Sequence, residues 1–415
     1  MTSEARVGAD LFAGDPYPRY RELRQQGPIH WSSELFGGAW VITTFDGVQS
    51  VLSDTRLSAC RTGGWLMREA LRGSEHRRRL VDMQRLYGRA MLFVDKPAHP
   101  RLRQAMRAGF HPAAIHILQG FVTEAVNGIL DRIEAKYGAE VPFDFIENFA
   151  RVLPAQVISR FLGFRHVDEA RFLSWSSTIA AFLGSVLPDA RETLAARDSV
   201  LAMSEFIDDY IRVSEIEDGN MLGVLIKAQQ RGDIESGVEM LSQCAMLLFA
   251  GLETTRHLLG TAVYWLLEDP GRWRSLRDPT RLQSAVRELL RWDSPVQYTG
   301  RRAICSFNLM GQNIHRGDLI LPLIGSANRD PGRYDDPERL DLGRQVGMPL
   351  SFGTGPHVCI GAALTLMEAE CALGALIERW PDACLDESPP QWIDLPLYRG
   401  LKTLMLRRSP MAGPA

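Results

Sequence analysis

The chain has 415 residues, 45% of them hydrophobic and 23% charged, and its 47 basic and 50 acidic side chains leave a net charge of −3. That is ample apolar material for a large core, and the balance excludes nucleic acid or an anionic membrane as the main partner. Six scattered cysteines (60, 244, 305, 359, 371 and 384) include no C-x-x-C pair, which excludes a zinc framework of the usual spacing and fits a reducing cytoplasm better than a disulfide scaffold.

The first twenty residues carry neither a basic n-region nor an apolar h-region, so no secretory signal is read there. Residues 16–26 pattern as a helix that Gly27 and Pro28 break. Two strands follow, IHWSS and AWVITTF, around a Gly37–Gly38 turn, and then a short helix, DGVQSVLSD. Residues 61–95 are irregular and rich in arginine, including Arg77, Arg78 and Arg79, a run of charge that ordinarily marks a solvated face. Pro100 suits the first turn of the next helix. There His99 and Arg103 stand four apart and share one face, which is either a seat for a pair of carboxylates or a plain surface pair. Arg101 and Arg107 lie off that face and suggest a basic docking surface for an acidic partner.

From 113 to 230 the spacing of apolar residues is helical, with a break at Gly163 and two helices around Gly184 and Pro188. Trp175, Ile179, Phe182 and Leu183 read as core or as the roof of a pocket. The stretch from Ser236 to Asp269 predicts a long helix closed by Pro270. It is apolar all round from Cys244 to Leu252, so it belongs in the centre of a large fold, and that run is shorter than the roughly 18 residues of a membrane span. Inside it Ala250 and Gly251 remove side-chain bulk. Gly251 weakens the helix, and a threonine hydroxyl bonding back to the i−4 carbonyl favours a bend. Glu253 beside Thr254 sets a carboxylate next to a hydroxyl at that bend, the combination that proton delivery through a dry pocket requires. The other reading is a buried glutamate paired with Arg256 or His257.

Glu288 and Arg291, three apart on a helix, can form a charge pair. Further on, SFGTGPHVCIG (351–361) rings Cys359 with Gly353, Gly355 and Gly361. Such glycines permit positive φ and close approach to a flat ligand, and turn amides can aim at the sulfur. A helix follows from 361 to 380 and ends before Pro381. A cysteine just ahead of a helix N-terminus is expected as thiolate, the form that binds iron. Residues 397–408 read as a closing strand pair.

Residues 352–361 resemble the haem-binding loop of cytochrome P450 enzymes, F-G-x-G-x-H-x-C-x-G, at every fixed position. The resemblance implies Cys359 as axial ligand of the iron, Phe352 against the sulfur and His357 near a haem propionate. The family pattern D-x-P-x-H-x-x-x-R is matched by Asp95, Pro97, His99 and Arg103, which implies that His99 and Arg103 bind propionates. Arg301 aligns as a third propionate ligand, with Arg302 in a competing register. The pattern A/G-G-x-D/E-T-T makes Glu253 the relay acid and Thr254 the hydroxyl beside dioxygen, with Ala250 and Gly251 against the haem. Glu288, Arg291 and Arg339 (of Pro337-Glu338-Arg339) are the trio expected to hold the cysteine loop. The family places substrate contacts near Trp65, Leu66, Met83, Leu86, Phe182, Met246, Leu247, Val296, Gln297 and Leu397.

The expectation is therefore a mainly helical (α+β) fold of the P450 type, a helix-rich lobe and a smaller β-sheet lobe around a buried haem. It is expected as one domain over 1–415, with flexible stretches at 1–15 and 409–415. The resemblance implies a cytoplasmic haem b monooxygenase that hydroxylates or epoxidises an apolar small molecule or natural-product intermediate. Electrons come from NAD(P)H through a separate ferredoxin and ferredoxin reductase, and neither nucleic acid nor membrane is a partner. The alternatives are an atypical P450 (oxidative coupling, decarboxylation or peroxide-driven oxidation) and, more remotely, a non-catalytic haem sensor or carrier.

Overall fold

A computed structural model of the chain describes residues 7–60, 80–165, 168–186 and 188–410. Trp65, Leu66 and the arginine run at 77–79 lie outside the described residues. Helix α1 (Tyr17–Gln26) leads into β1 (Ile29–Ser32) and β2 (Ala39–Ile42), which pair antiparallel with Ile29 opposite Ile42. Then come α2 (Phe45–Ser53), β3 (Leu57–Ser58), α3 (Val81–Tyr87), α4 (Ala98–Met106), α5 (Pro112–Lys136), β4 (Phe143–Asp144) and α6 (Val152–Leu162). Helices α7 (Glu169–Gly184), α8 (Ala190–Val213), α9 (Met221–Gln230), α10 (Gly237–Leu267), α11 (Pro270–Ser275) and α12 (Leu282–Trp292) follow. The remainder alternates strands β5 (Arg301–Ala303), β6 (Phe307–Leu309), β7 (Gln312–Ile314) and β8 (Leu319–Pro322) with the short α13 (Ile324–Ala327) and the long α14 (Ala362–Arg379). Strands β9 (Cys384–Leu385), β10 (Gln391–Trp392), β11 (Leu401–Thr403) and β12 (Met405–Arg407) close the described chain.

The helices form one lobe and a five-stranded sheet, in the order β1-β2-β8-β5-β3, organises the other. The sheet's own core includes Val7, Leu11, Tyr17 and Tyr20. Helix α10 is the axis of the helical lobe, packed by α3, α6, α7, α8 and α14. Ser236 caps it by accepting the Glu239 N–H at 3.2 Å, and it ends just ahead of Asp269 and Pro270, where a proline cannot continue the ladder. Its composition explains its place, since a helix apolar on every side is stable only when surrounded. Among the described residues one helix, Pro112–Lys136, is long and apolar enough to cross a membrane; here it packs on α14 and α6. Strands β11 and β12 do not pair with each other as the sequence suggests. β11 joins β10, whereas β12 lies between β4 and β9, because Leu404 turns the chain from one sheet into the next.

The loop that carries Cys359 is fastened to α12 by a buried polar network. Glu288 and Arg291 are wholly buried, with Nε to Oε2 at 2.6 Å and Nη2 to Oε1 at 2.8 Å. Arg291 Nη1 also donates to the carbonyls of Asn328 and Pro337, each at 2.9 Å. Asn328 passes the connection on: its Oδ1 accepts the Leu350 N–H at 3.0 Å and its Nδ2 donates to Ser351 Oγ at 2.9 Å. The side chain that completes the trio with Glu288 and Arg291 is not that of Arg339. That side chain is 65% exposed and pairs with Asp336 and Asp341, and only its carbonyl meets Arg291. Arg344, 14% exposed, reaches Glu288 Oε1 instead, at 3.3 Å. The turn that delivers the Asp341 N–H to the same carboxylate (3.0 Å) points Arg339 at solvent and folds Arg344 inward. Arg344→Ala is therefore expected to destabilise the protein by about 1–3 kcal/mol in urea unfolding, and Arg339→Ala by less than about 0.5. Equal losses would remove Arg344 from the network.

Candidate active site

An internal cavity of about 360 Å³ lies between α10, α14 and the cysteine loop, and it receives residues from both lobes. The loop's shape comes from its glycines. Gly353 and Gly355 sit at φ +67° and +72°, and a Cβ on Gly355 would lie 2.9 Å from the Leu52 carbonyl oxygen, so only glycine fits there. The Cys359 N–H donates to the Phe352 carbonyl at 2.8 Å, closing the loop under the sulfur. Cys359 has accessible surface, and it lines the cavity. Burial pushes its thiol up, while the Gly361 N–H and Arg103 pull the other way. The thiolate expected from the helix N-terminus is thus not favoured by the protein alone. A metal cation at the sulfur is what makes thiolate the stable form.

Across the cavity stands α10. Ala250, Gly251, Thr254, Thr255 and Leu258 line it, spaced as one helical face. Thr254 Oγ1 donates back to the Ala250 carbonyl at 2.9 Å, the local bond the sequence suggests. A Cβ on Gly251 would come within 3.0 Å of Ile158 Cδ1, so its absence serves the packing of α6 as well as the cavity. Glu253 is not among the lining residues. Its carboxylate accepts from Ser177 Oγ on α7 at 2.9 Å and from Arg256 at 3.0 Å, and His257 Nε2 stands 3.7 Å away. The pairing with Arg256 that was open in the sequence is thus present. Burial, helped by Arg256, holds the His257 imidazole well below its ordinary value, and neither ring nitrogen has a hydrogen-bond partner.

At one end of the cavity, cationic side chains converge. His99, Arg103, Arg301, Arg302 and His357 line it, and the His99 and His357 rings are 4.0 Å apart. His99 Nε2 is buried without a partner, an orphan donor that a carboxylate would satisfy. Arg103 Nη1 donates to the Val358 carbonyl at 2.7 Å and so ties α4 to the cysteine loop. Of the two neighbouring arginines, Arg301 is buried, whereas Arg302 extends to the Gly317 carbonyl. These observations test the fit of a haem. A sulfur faces the cavity from one wall, a low-bulk helix face lies opposite, and a cluster of donors sits at the edge. The residues fit. Arg101, by contrast, is committed to Glu239 and Glu235 and cannot serve as a free docking charge.

Of the substrate contacts expected from the sequence, Met246, Leu247, Val296 and Leu397 line the cavity. Met83, Leu86 and Phe182 do not; their helices turn them into the main core, and on α7 the neighbouring Leu183 faces the cavity instead. Gln297 is held away by Tyr20 at 3.1 Å and by the Ser294 carbonyl at 2.7 Å. Phe36, Ser185, Thr299 and Tyr398 also line the cavity and were not expected there, since each arrives from a loop or from the other lobe.

Glu368, in the second turn of α14, also lines the cavity. It is fully buried, its Oε1 has no partner, and burial pushes its carboxyl up to about 8. Because the folded value lies above the ordinary 4.5, this residue is harmless at low pH, and it costs stability as pH rises from about 4.5 through about 8. Glu368→Gln is expected to raise the thermal midpoint slightly near pH 5 and by several degrees at about pH 8. A pH-independent effect in calorimetry would rule out a buried neutral carboxyl.

Comparison with known proteins agrees with this site. The family model described as Cytochrome P450 matches residues 68–395. The chain is 35% identical over 409 residues to the cytochrome P450 monooxygenase PikC of Streptomyces venezuelae, covering 97% of this chain and 92% of that one. It is 33% identical to the polyketide biosynthesis cytochrome P450 PksS of Bacillus subtilis, covering 95% and 96%. Among solved structures, the cytochrome P450 enzyme CxnD for C–S bond formation in chuangxinmycin biosynthesis superposes with a TM-score of 0.86 at 27% identity, covering 99% of each chain. The chain belongs to the cytochrome P450 family and is a haem b oxidoreductase that incorporates molecular oxygen, with electrons drawn from NAD(P)H through redox partners.

Proposed function

We propose that this enzyme inserts one oxygen atom from O₂ into an apolar small molecule, a natural-product intermediate, by hydroxylation or epoxidation. The observation that carries the proposal is a largely apolar cavity lined by both Cys359 and Thr254. The natural-product class is supported by the relationship to PksS. The electron donor is a ferredoxin with its reductase, and the enzyme works in the cytoplasm. Arg107, exposed at the end of α4, is the remaining member of the basic pair suited to such a donor.

Cys359 Sγ would hold the iron, while His99, Arg103, Arg301 and His357 would meet the two carboxylates. The haem, when bound, supplies oxygen activation; the chain supplies position, dryness and protons. Thr254 has its own hydroxyl hydrogen directed at Ala250, so its oxygen is left to accept a hydrogen bond from a group in the cavity. Glu253 is the nearest carboxylate on the same helix and is the group that would pass a proton on. To deliver it, the side chain leaves Ser177 and Arg256 and turns toward Thr254. The apolar walls formed by Leu92, Met246, Leu247, Val296 and Leu397 keep bulk water from competing for that proton.

A second reading is oxidative bond formation within a substrate, favoured by the likeness to an enzyme named for C–S bond formation. The two readings separate by product mass: one gains an oxygen, the other loses two hydrogens. For the first, Thr254→Ala is expected to lower product formed per NAD(P)H and raise peroxide release, with Thr254→Ser restoring coupling. Glu253→Gln is expected to slow turnover by about 10²-fold. Unchanged coupling in Thr254→Ala, measured with a surrogate ferredoxin and reductase, would count against the hydroxyl's role.

A further inference from the structure

We infer that Gln243 is a positioning residue for substrate: it clasps the Arg89–Met91 backbone to α10 and so fixes the cavity wall formed by Met91, Leu92 and Phe93. Gln243 is a wholly buried polar side chain just ahead of the apolar run from Cys244 to Leu252. Its amide is fully used. Nε2 donates to the Arg89 carbonyl at 2.7 Å and to the Glu239 carbonyl at 2.9 Å, and Oε1 accepts the Met91 N–H at 2.8 Å. The partners dictate which way the amide points, since of its two ends only the nitrogen can donate to a carbonyl and only the oxygen can accept an N–H.

The clasp joins two parts of the active site that chain connectivity leaves independent. Met91, Leu92 and Phe93 line the cavity from a loop between α3 and α4, more than 150 residues before Gln243 (152 separate Met91 from Gln243). Helix α10 carries Met246, Leu247, Ala250 and Thr254 along the same rigid rod. Gln243 lies seven residues, or about 10 Å, before Ala250. The amide therefore registers the wall against the same element that presents the Thr254 hydroxyl. A second contact, the Leu92 N–H on Met246 Sδ at 3.4 Å, continues the seam one turn further. Without the glutamine amide, the Arg89 carbonyl and the Met91 N–H are left without their partner in a dry interior, and the loop relieves this only by moving toward water. A displaced loop changes the shape that a bulky ligand meets, whereas the sulfur sits on a different segment, the loop fastened through Asn328.

The test uses Gln243→Met, close to the glutamine in size and without its hydrogen bonds, in the haem-loaded protein. Two probes are titrated spectroscopically, imidazole, which binds iron without reaching the wall, and 1-phenylimidazole, which extends from it. Expected is a Kd for imidazole within about twofold of the parent, a Kd for 1-phenylimidazole changed by at least about fivefold, and faster hydrogen exchange at the Met91 amide. Equal shifts for both probes, or unaltered exchange at Met91, overturn the inference. If Gln243→Met does not load haem, Gln243→Glu is read by the two Kd values alone, since it keeps the acceptor for Met91 and loses the donor to Arg89; equal shifts for both probes again overturn the inference.

Discussion

A buried pair of opposite charges, Glu288 and Arg291, anchors the cysteine loop, and the geometry of the whole site depends on that anchor. Removing both ions from water is costly, and their mutual attraction offsets the cost only when the remaining hydrogen-bonding positions are filled. Here they are filled by specific atoms of the loops to be held: the carbonyls of Asn328, Pro337 and Arg339 around the guanidinium, and the Asp341 N–H and Arg344 around the carboxylate. Moving any of these loops uncovers a charge. The pair thus acts as a rigid reference point, and Asn328 carries that rigidity to Leu350 and Ser351, immediately ahead of Phe352 and Cys359.

Opposite the sulfur, polar groups are few and each is constrained. The Thr254 hydroxyl is tethered to its own helix, and Glu253 is drawn outward by Ser177 and Arg256. His257 and Glu368 are both buried with nitrogen or oxygen atoms lacking partners, and burial drives each toward its neutral form. Buried charge is thus kept where a partner meets it, as in the pair at Glu253 and Arg256, and the groups without a partner are driven neutral. The Ser177 bond also has a structural meaning. It ties the carboxylate to α7, the helix that sends Leu183 into the cavity, so that the roof and the acid are mechanically joined.

Much of this architecture was legible from the residues. The cysteine loop, the threonine face of α10 and the pair at 288 and 291 are local patterns whose spacing carries their geometry, and the five residues from His99 to Arg103 behave likewise. Legibility failed where function depends on which way a loop turns. Arg339 and Arg344 are both arginines in one polar segment, and only the fold of the turn chooses between them. It failed again where a helical phase had to be guessed, so that Leu183 lines the cavity and Phe182 does not. Partners distant in sequence were hidden altogether. Nothing near Gln243 announces a loop 152 residues earlier, and the tail LYRGLKTLMLRR does not disclose that its two strands serve different sheets.

That last feature bears on how the molecule is made. Strand β12 is the middle of a sheet whose first edge, Phe143 and Asp144, leaves the ribosome far earlier; the Leu404 N–H reaches Asp144 Oδ1 across 260 residues, and the Phe145 N–H reaches the Leu404 carbonyl at 2.8 Å. Until residues 401–407 emerge, the backbone at 143–145 has no strand to lie against, although the helices around it are already synthesised. Closure of the loop is therefore a late, long-range step of high contact order, during which the nascent helical lobe must wait with an unfinished seam.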